Sequence, residues 1–198
     1  MKAESSRKVG IFGGTFNPPH IAHLLAAESV RDHLRLDTVL FVPAAIPPHK
    51  TNELIVSPEH RLKMVRLAIG ENPFFEVSDI ELRRSGPSYT IDTLHELKRN
   101  YPDDSFFLIL GIDLLIDFFS WKNPTAILDG CTVVAMNRPG FDLAMVDKDL
   151  LGRVVLVNVP GVDVSSTSIR RRVKSGRSIK YLVPPEVESY IISNSIYV

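Results

Sequence analysis

The chain has one cysteine, Cys131, one tryptophan, Trp121, and no excess of either charge, with 23 Lys and Arg against 23 Asp and Glu. A lone cysteine excludes an internal disulfide, and its place in the apolar run from Cys131 to Ala135 predicts a buried strand residue in a reducing compartment. Balanced charge gives no broad attraction to nucleic acid or to an anionic membrane surface. Residues Met1 to Lys8 lack the apolar centre of a signal peptide, and the apolar run from Phe106 to Phe119 is interrupted by Asp113 and Asp117. No membrane span is therefore expected, and the cytosol is. Internal repeats and low-complexity tracts are absent as well. What remains is a 198-residue chain, 44% hydrophobic, which suits one soluble domain over residues 1–198 with a flexible start at 1–7.

The chemistry-bearing residues begin at Val9 to His23. Val9, Ile11 and Phe12 supply a buried strand, and Gly13-Gly14 leave its end without side chains. The backbone N–H groups of Gly13, Gly14, Thr15 and Phe16 can then lie against an anion. Pro18-Pro19 fix φ, after which His20 opens a run carrying Leu24, Leu25, Ala27, Val30 and Leu34 at helical spacing. His20 and His23 share the first turn of that helix, outside its core pattern, where the dipole and the free amides also favour an anion. Glycine positions 10, 13 and 14 do not make the G-x-G-x-x-G dinucleotide fingerprint. Zinc ligation by the histidine pair would need a cysteine or carboxylate at ligand spacing, and none is near.

A second anion-directed segment runs from Val164 to Arg172. Ser165, Ser166 and Thr167 are N-cap residue types ahead of a helix-forming run. Between Ser165 and Pro185 stand six basic residues and no acidic one. Arg170 lies one turn from the hydroxyls, where its guanidinium fork can hold a pair of triphosphate oxygens. Arg171, Arg172 and Lys174 read as a solvated basic face.

Apolar runs alternate with helical patterns, which predicts an α/β fold: one Rossmann-like, doubly wound, mainly parallel sheet with helices on both faces. Expected strands are 9–12, 38–42, 74–78, 106–111, 132–136 and 154–157. Expected helices are 20–34, 58–70, 91–100, 165–175 and 184–193. Polar residues follow several strands: Gly13-Gly14, then Pro47-Pro48-His49-Lys50, Asp113 and Arg138. Ligands in such folds sit at the carboxyl ends of the strands, where the strand order reverses.

The segment Gly13-Gly14-Thr15-Phe16-Asn17-Pro18-Pro19-His20-Ile21-Ala22-His23 resembles the G-G-T-F-D-P-x-H-x-G-H motif of the HxGH nucleotidyltransferases, with Asn17 and Ala22 as departures. Val164 to Arg170 resembles the I-S-S-T-x-I-R motif of the same superfamily. Ser88-Tyr89-Thr90-Ile91-Asp92-Thr93-Leu94, Gly111-Ile112-Asp113 followed by Trp121, and Pro47-Pro48-His49-Lys50 are similar to segments of the bacterial nicotinate-nucleotide adenylyltransferases.

The resemblance implies adenylyl transfer from ATP to nicotinate mononucleotide. It implies catalytic roles for His20, His23 and Arg170, and ATP contacts from Gly13, Gly14, Thr15, Phe16, Gly111, Asp113, Ser165, Ser166 and Thr167, with the helical part 165–198 completing the ATP site. It implies a mononucleotide pocket of Lys50, Tyr89, Thr90, Trp121 and Arg138, in which backbone amides around Thr90 and after Trp121 grip the ring carboxylate. Trp121 also reads as a packing residue, and Asp113 as a helix N-cap before Leu114. Mg²⁺ is expected with the triphosphate, bound through phosphate oxygens rather than a protein cage. Expected partners are the two small-molecule substrates, not nucleic acid or membrane, and a homo-oligomer stays open. The rival readings are an enzyme taking nicotinamide mononucleotide or both mononucleotides, a phosphopantetheine adenylyltransferase, and a nucleotide-sensing module without turnover.

Overall fold

The computed structural model describes residues 6–46, 55–70, 72–137 and 143–198. In chain order the elements are β1 (Lys8–Gly14), α1 (Ile21–Leu34), β2 (Thr38–Pro43), α2 (Pro58–Ile69), β3 (Phe75–Val77), α3 (Thr90–Asn100), β4 (Ser105–Gly111), α4 (Pro124–Gly130), β5 (Thr132–Asn137), α5 (Lys148–Leu151), β6 (Val155–Asn158), α6 (Ser166–Lys174) and α7 (Pro185–Ser193). Two 3₁₀ turns, Ile112–Leu115 and Phe118–Ser120, follow β4. All pairings between the described strands are parallel, in the order β3-β2-β1-β4-β5-β6.

Period-2 alternation divides the strands between two apolar layers. Val9 and Ile11 of β1, Leu108 and Leu110 of β4, and Val133 and Ala135 of β5 pack under Ile91, Leu94 and Leu97 of α3 and Ile127 of α4. Phe12, Ile109, Val134 and Met136 face the other way, toward Ala26, Ala27 and Val30 of α1 and Val65 of α2. Helices thus cover both faces, as the alternating pattern predicts. Gly10 is where Leu36 and Ile109 close over β1: a Cβ there would lie 2.9 Å from a methyl of each. A third apolar cluster joins Met64 and Ala68 of α2 to Ile169 of α6, Val187 and Ile191 of α7, and Ile196 and Tyr197 beyond it. Among the described residues no helix is long and apolar enough to cross a membrane.

Some sequence expectations are corrected. The third strand shortens from 74–78 to Phe75–Val77. The run expected to be helical from 91 starts at Thr90, and His20 and Ser165 lie at the caps of α1 and α6 rather than inside them. Helices α4 and α5 were not expected, because 7 and 4 residues are too few to show a 3.6-residue period. Cys131 is not a buried strand residue. It is partly exposed and caps the end of α4, its N–H donating to the Ile127 carbonyl, one position before β5.

Candidate active site

β1 and β4 are paired only from Lys8–Ile11 against Ser105–Leu108. Beyond that point β1 continues beside β2 to Gly14, while β4 continues beside β5 to Gly111. The two carboxyl ends therefore part at the reversal of strand order, and a cleft of about 520 Å³ opens between them. Gly13, Gly14, Thr15 and His23 form one wall, and Gly111, Asp113, Tyr89, Thr90 and Trp121 form another.

The wall on the β1 side is bare backbone by construction. A Cβ on Gly13 would meet nothing within 4 Å, so the space in front of this residue belongs to the cleft. A Cβ on Gly14 would lie 3.0 Å from the Phe16 ring, and the glycine is what lets the turn close. Phe16 has φ 49°, a left-handed conformation uncommon for a bulky residue, and its ring is buried against Phe12, Phe41 and His23. The ring of Phe16 is therefore part of the core, although the residue borders the cleft.

The histidines are organised by the start of α1. His23 Nδ1 accepts the backbone N–H of His20 at 3.2 Å, and the two rings stack with centroids 3.7 Å apart. An Nδ1 that accepts leaves the proton of the neutral ring on Nε2. His20 is only 4% exposed, so it does not lie outside the packed interior as its sequence position suggested. His23 lines the cleft, whereas His20, stacked on it, is not part of the lining.

The far motif arrives through Asn17 and Pro18, which are joined by a cis peptide bond. Arg170 donates from Nη1 to the Asn17 carbonyl (3.0 Å) and from Nη2 to Thr167 Oγ1 (3.3 Å). Ser166 Oγ donates to the Pro18 carbonyl at 2.8 Å. Ser165 caps α6, its Oγ accepting the Ser168 N–H at 3.2 Å. These residues are not in the lining of the cleft itself; they are held beside it by the Asn17–Pro18 segment. Arg171 and Lys174 are exposed, but Arg172 is not a free surface cation: its Nε donates to the Ser178 carbonyl at 2.7 Å and closes the turn after α6.

On the opposite side Tyr89 caps α3 and Thr90 begins it, and both residues border the cleft. Trp121 is partly buried, tilted against Phe118 at 5.2 Å, and also borders the cleft, so packing and lining roles coincide. Asp113 does not cap the 3₁₀ turn; Gly111 does, and Asp113 is exposed within the turn. A Cβ on Gly111 would lie 2.6 Å from Asp113 Oδ1, so glycine is what admits that carboxylate. Lys50 and Arg138 lie outside the described residues.

Four residues of the neighbourhood escaped the sequence reading. Lys122 lines the cleft with its ammonium 4.6 Å over the Tyr89 ring and 2.9 Å from Asp92. Glu81, 8% exposed, accepts a 2.6 Å hydrogen bond from Thr93 in the cleft wall. Tyr197, near the end of the chain, donates from its hydroxyl to Asn17 Oδ1 at 2.9 Å, and burial pushes its phenol well above the usual tyrosine range. Arg61 is fully buried in α2, and desolvation holds its guanidinium below the ordinary arginine range. None of these carries a local sequence signal, because each is defined by partners distant along the chain.

Comparison with known proteins agrees with this geometry. The cytidylyltransferase-like family model matches residues 11–172. A Geobacter metallireducens protein named "probable nicotinate-nucleotide adenylyltransferase" is 48% identical over 212 residues, covering 96% of this chain and 98% of that one. A Thermus thermophilus protein with the same name is 46% identical over 190 residues, covering 96% and 99%. The fold is that of a Plasmodium falciparum nicotinic acid mononucleotide adenylyltransferase complexed with NaAD, with TM-score 0.80 at 22% identity over 96% of this chain and 97% of the other. With the model spanning most of its length and relatives of this likeness from end to end, the chain belongs to the cytidylyltransferase-like family, among the nicotinate-nucleotide adenylyltransferases.

Proposed function

We propose that this protein transfers the adenylyl group of ATP to nicotinate mononucleotide in the cytosol, giving nicotinate adenine dinucleotide and pyrophosphate for NAD biosynthesis. One observation carries the reading: a cleft at the strand-order reversal has a side-chain-free turn and His23 on one wall and an aromatic pair with a helix start on the other. That arrangement suits two nucleotides meeting through their phosphates.

The reaction asks for placement and charge neutralisation. A phosphate oxygen of the mononucleotide attacks the α-phosphorus of ATP, the bond from that phosphorus to the bridging oxygen breaks, and pyrophosphate leaves with the electron pair. The attacking phosphate, with a second pKa of ~6, is already ionised near neutral pH, so no general base is required. Negative charge grows on the bridging and equatorial oxygens, where fixed donors lower the barrier. We assign the amides of Gly13 to Phe16 to the junction of the substrates, His20 and His23 to the transferring phosphate, and Arg170 with Ser165, Ser166 and Thr167 to the outer phosphates. Gly111 and Asp113 are assigned to the adenosine, and Tyr89, Thr90 and Trp121, with Lys50 and Arg138, to the mononucleotide.

The donor set of imidazoles, hydroxyls, guanidinium and amides faces anions and not a cation, which fits a Mg²⁺ carried in by the triphosphate. When bound there, Mg²⁺ supplies further neutralisation of the phosphate charge. The whole chain acts as one unit in this reading, since the α6 contacts to Asn17 and Pro18 join residues about 150 apart.

Pyrophosphate release, measured with ATP, Mg²⁺ and each mononucleotide in turn, tests the proposal. The carboxylate substrate should exceed its amide by ~10²-fold or more in kcat/KM, because donors that grip a carboxylate are left poorly paired by an amide. Comparable efficiencies would convert the reading to dual specificity, and no release with either would end it.

A further inference from the structure

Arg61 is 1% exposed, yet its guanidinium donates to main-chain carbonyls and not to a carboxylate among the described residues. Nη1 reaches the Thr15 carbonyl at 3.0 Å, Nη2 the Ala45 carbonyl at 3.1 Å and Nε the Val56 carbonyl at 3.2 Å. These three acceptors belong to the turn after β1, the segment after β2 and the approach to α2. A buried cation whose hydrogen bonds go to neutral carbonyls is a poor way to fill a core, where a methionine of similar length would pack without desolvating a charge. The fork geometry explains its presence, since only guanidinium directs several donors along fixed, coplanar lines.

Each acceptor connects to the cleft. In a trans peptide the C=O of one residue and the N–H of the next point to opposite sides. Holding the Thr15 carbonyl on the Arg61 side therefore turns the Phe16 N–H away from the guanidinium, and it fixes the peptide that leads into the left-handed φ of Phe16. Ala45 in turn donates its N–H to Ser88 Oγ at 2.9 Å, beside the Tyr89–Thr90 start of α3. Val56 donates its N–H to Asn17 Oδ1 at 3.3 Å, the residue whose carbonyl receives Arg170. One guanidinium thus joins the phosphate-facing turn, the mononucleotide wall and the Asn17–Arg170 contact.

We propose that Arg61 is a positioning residue for adenylyl transfer, setting the glycine turn and the α3 start in register with each other. The proposal rests on the adenylyl-transfer reading above. It places the effect on kcat, because what is lost is the mutual alignment of two bound substrates rather than the grip on either one.

The test is Arg61→Lys, which keeps the charge but cannot span three carbonyls, assayed below its own melting midpoint at saturating ATP and nicotinate mononucleotide. Expected is a fall in kcat of ~10-fold or more, with both KM values within ~3-fold of the parent. Met64→Ala, on the same helix and fully buried, supplies a destabilised control whose kcat should stay within ~2-fold. Ser88→Ala, which removes the Ala45 hydrogen bond at a residue that also borders the cleft, should lower kcat by ~3-fold or more while KM for the mononucleotide stays within ~3-fold, a split that a lost substrate contact would not give. If Arg61→Lys and Ser88→Ala, both folded by circular dichroism, keep the parent's kcat within ~2-fold, Arg61 is a structural residue only. A parent that releases no pyrophosphate overturns the functional reading, and this proposal with it; an active parent with unaltered variants overturns the Arg61 proposal alone.

Discussion

His23 Nδ1 accepts the backbone N–H of His20 at 3.2 Å while the two imidazoles stack 22° from parallel. The ring of His23 thus both caps α1 and, in its neutral form, retains a donor at Nε2. The two tasks use different nitrogens, so substitution can separate them. His23→Ala should lose ~10²-fold in kcat/KM and ~1 kcal/mol of stability. His23→Asn keeps an acceptor where Nδ1 stands, so urea unfolding should return near the parent while pyrophosphate release stays low. Recovery of both together would mean that His23 acts only as a cap. His20→Ala should lose similar activity at a larger cost in stability, ~1–3 kcal/mol, because His20 is buried.

Arg170→Ala should raise KM for ATP and lower kcat, since this guanidinium is the one tied to Asn17 beside the glycine turn. Arg172→Ala should leave both constants nearly unchanged and instead lower the melting temperature, because its bond is to the Ser178 carbonyl. Steady-state kinetics beside thermal melts read the contrast, and equal kinetic effects would make the basic run a diffuse field.

Gly13→Ala should fold with stability within ~0.5 kcal/mol of the parent, as a Cβ there meets nothing within 4 Å. The methyl would project into the cleft, so kcat/KM should fall by ~10-fold or more. Gly14→Ala should behave oppositely in origin, destabilising by ~1–3 kcal/mol through its 3.0 Å approach to the Phe16 ring. Urea midpoints and turnover on the same preparations separate occlusion from overpacking.

Burial pushes the Cys131 thiol from 9.0 up to about 11. A disulfide reagent at pH 8 should therefore label the folded chain ~10²-fold more slowly than the urea-unfolded chain, whose thiolate fraction is higher. The sign of the linked stability follows: the unfolded thiol ionises first, so its contribution is complete below pH 9 and disappears as pH rises toward 11. The denaturation midpoint should drop across that interval, and less steeply in Cys131→Ala.

Local patterns were legible without coordinates. The β1 strand, the glycine pair, the proline pair, the histidines three apart and the Ser165 cap are each written in fewer than about a dozen consecutive residues, since strand burial, turn geometry and helix capping are short-range requirements. The alternation of runs likewise dictated a parallel sheet with both faces covered. Sequence also marked Asn17 as a departure from its family, although only the structure gives that residue its bonds to Tyr197 and Val56.

Tertiary structure alone decided what stands behind the turn. Arg61 carries no mark in the sequence beyond its place in an expected helix, and its acceptors are main-chain carbonyls, which every residue has and which no side-chain pattern announces. The strand order that parts β1 from β4, and the 153-residue separation across which Arg170 meets Asn17, arise from how elements pack after they form. Short-range chemistry chose the pieces of the site; long-range packing chose which pieces face one another.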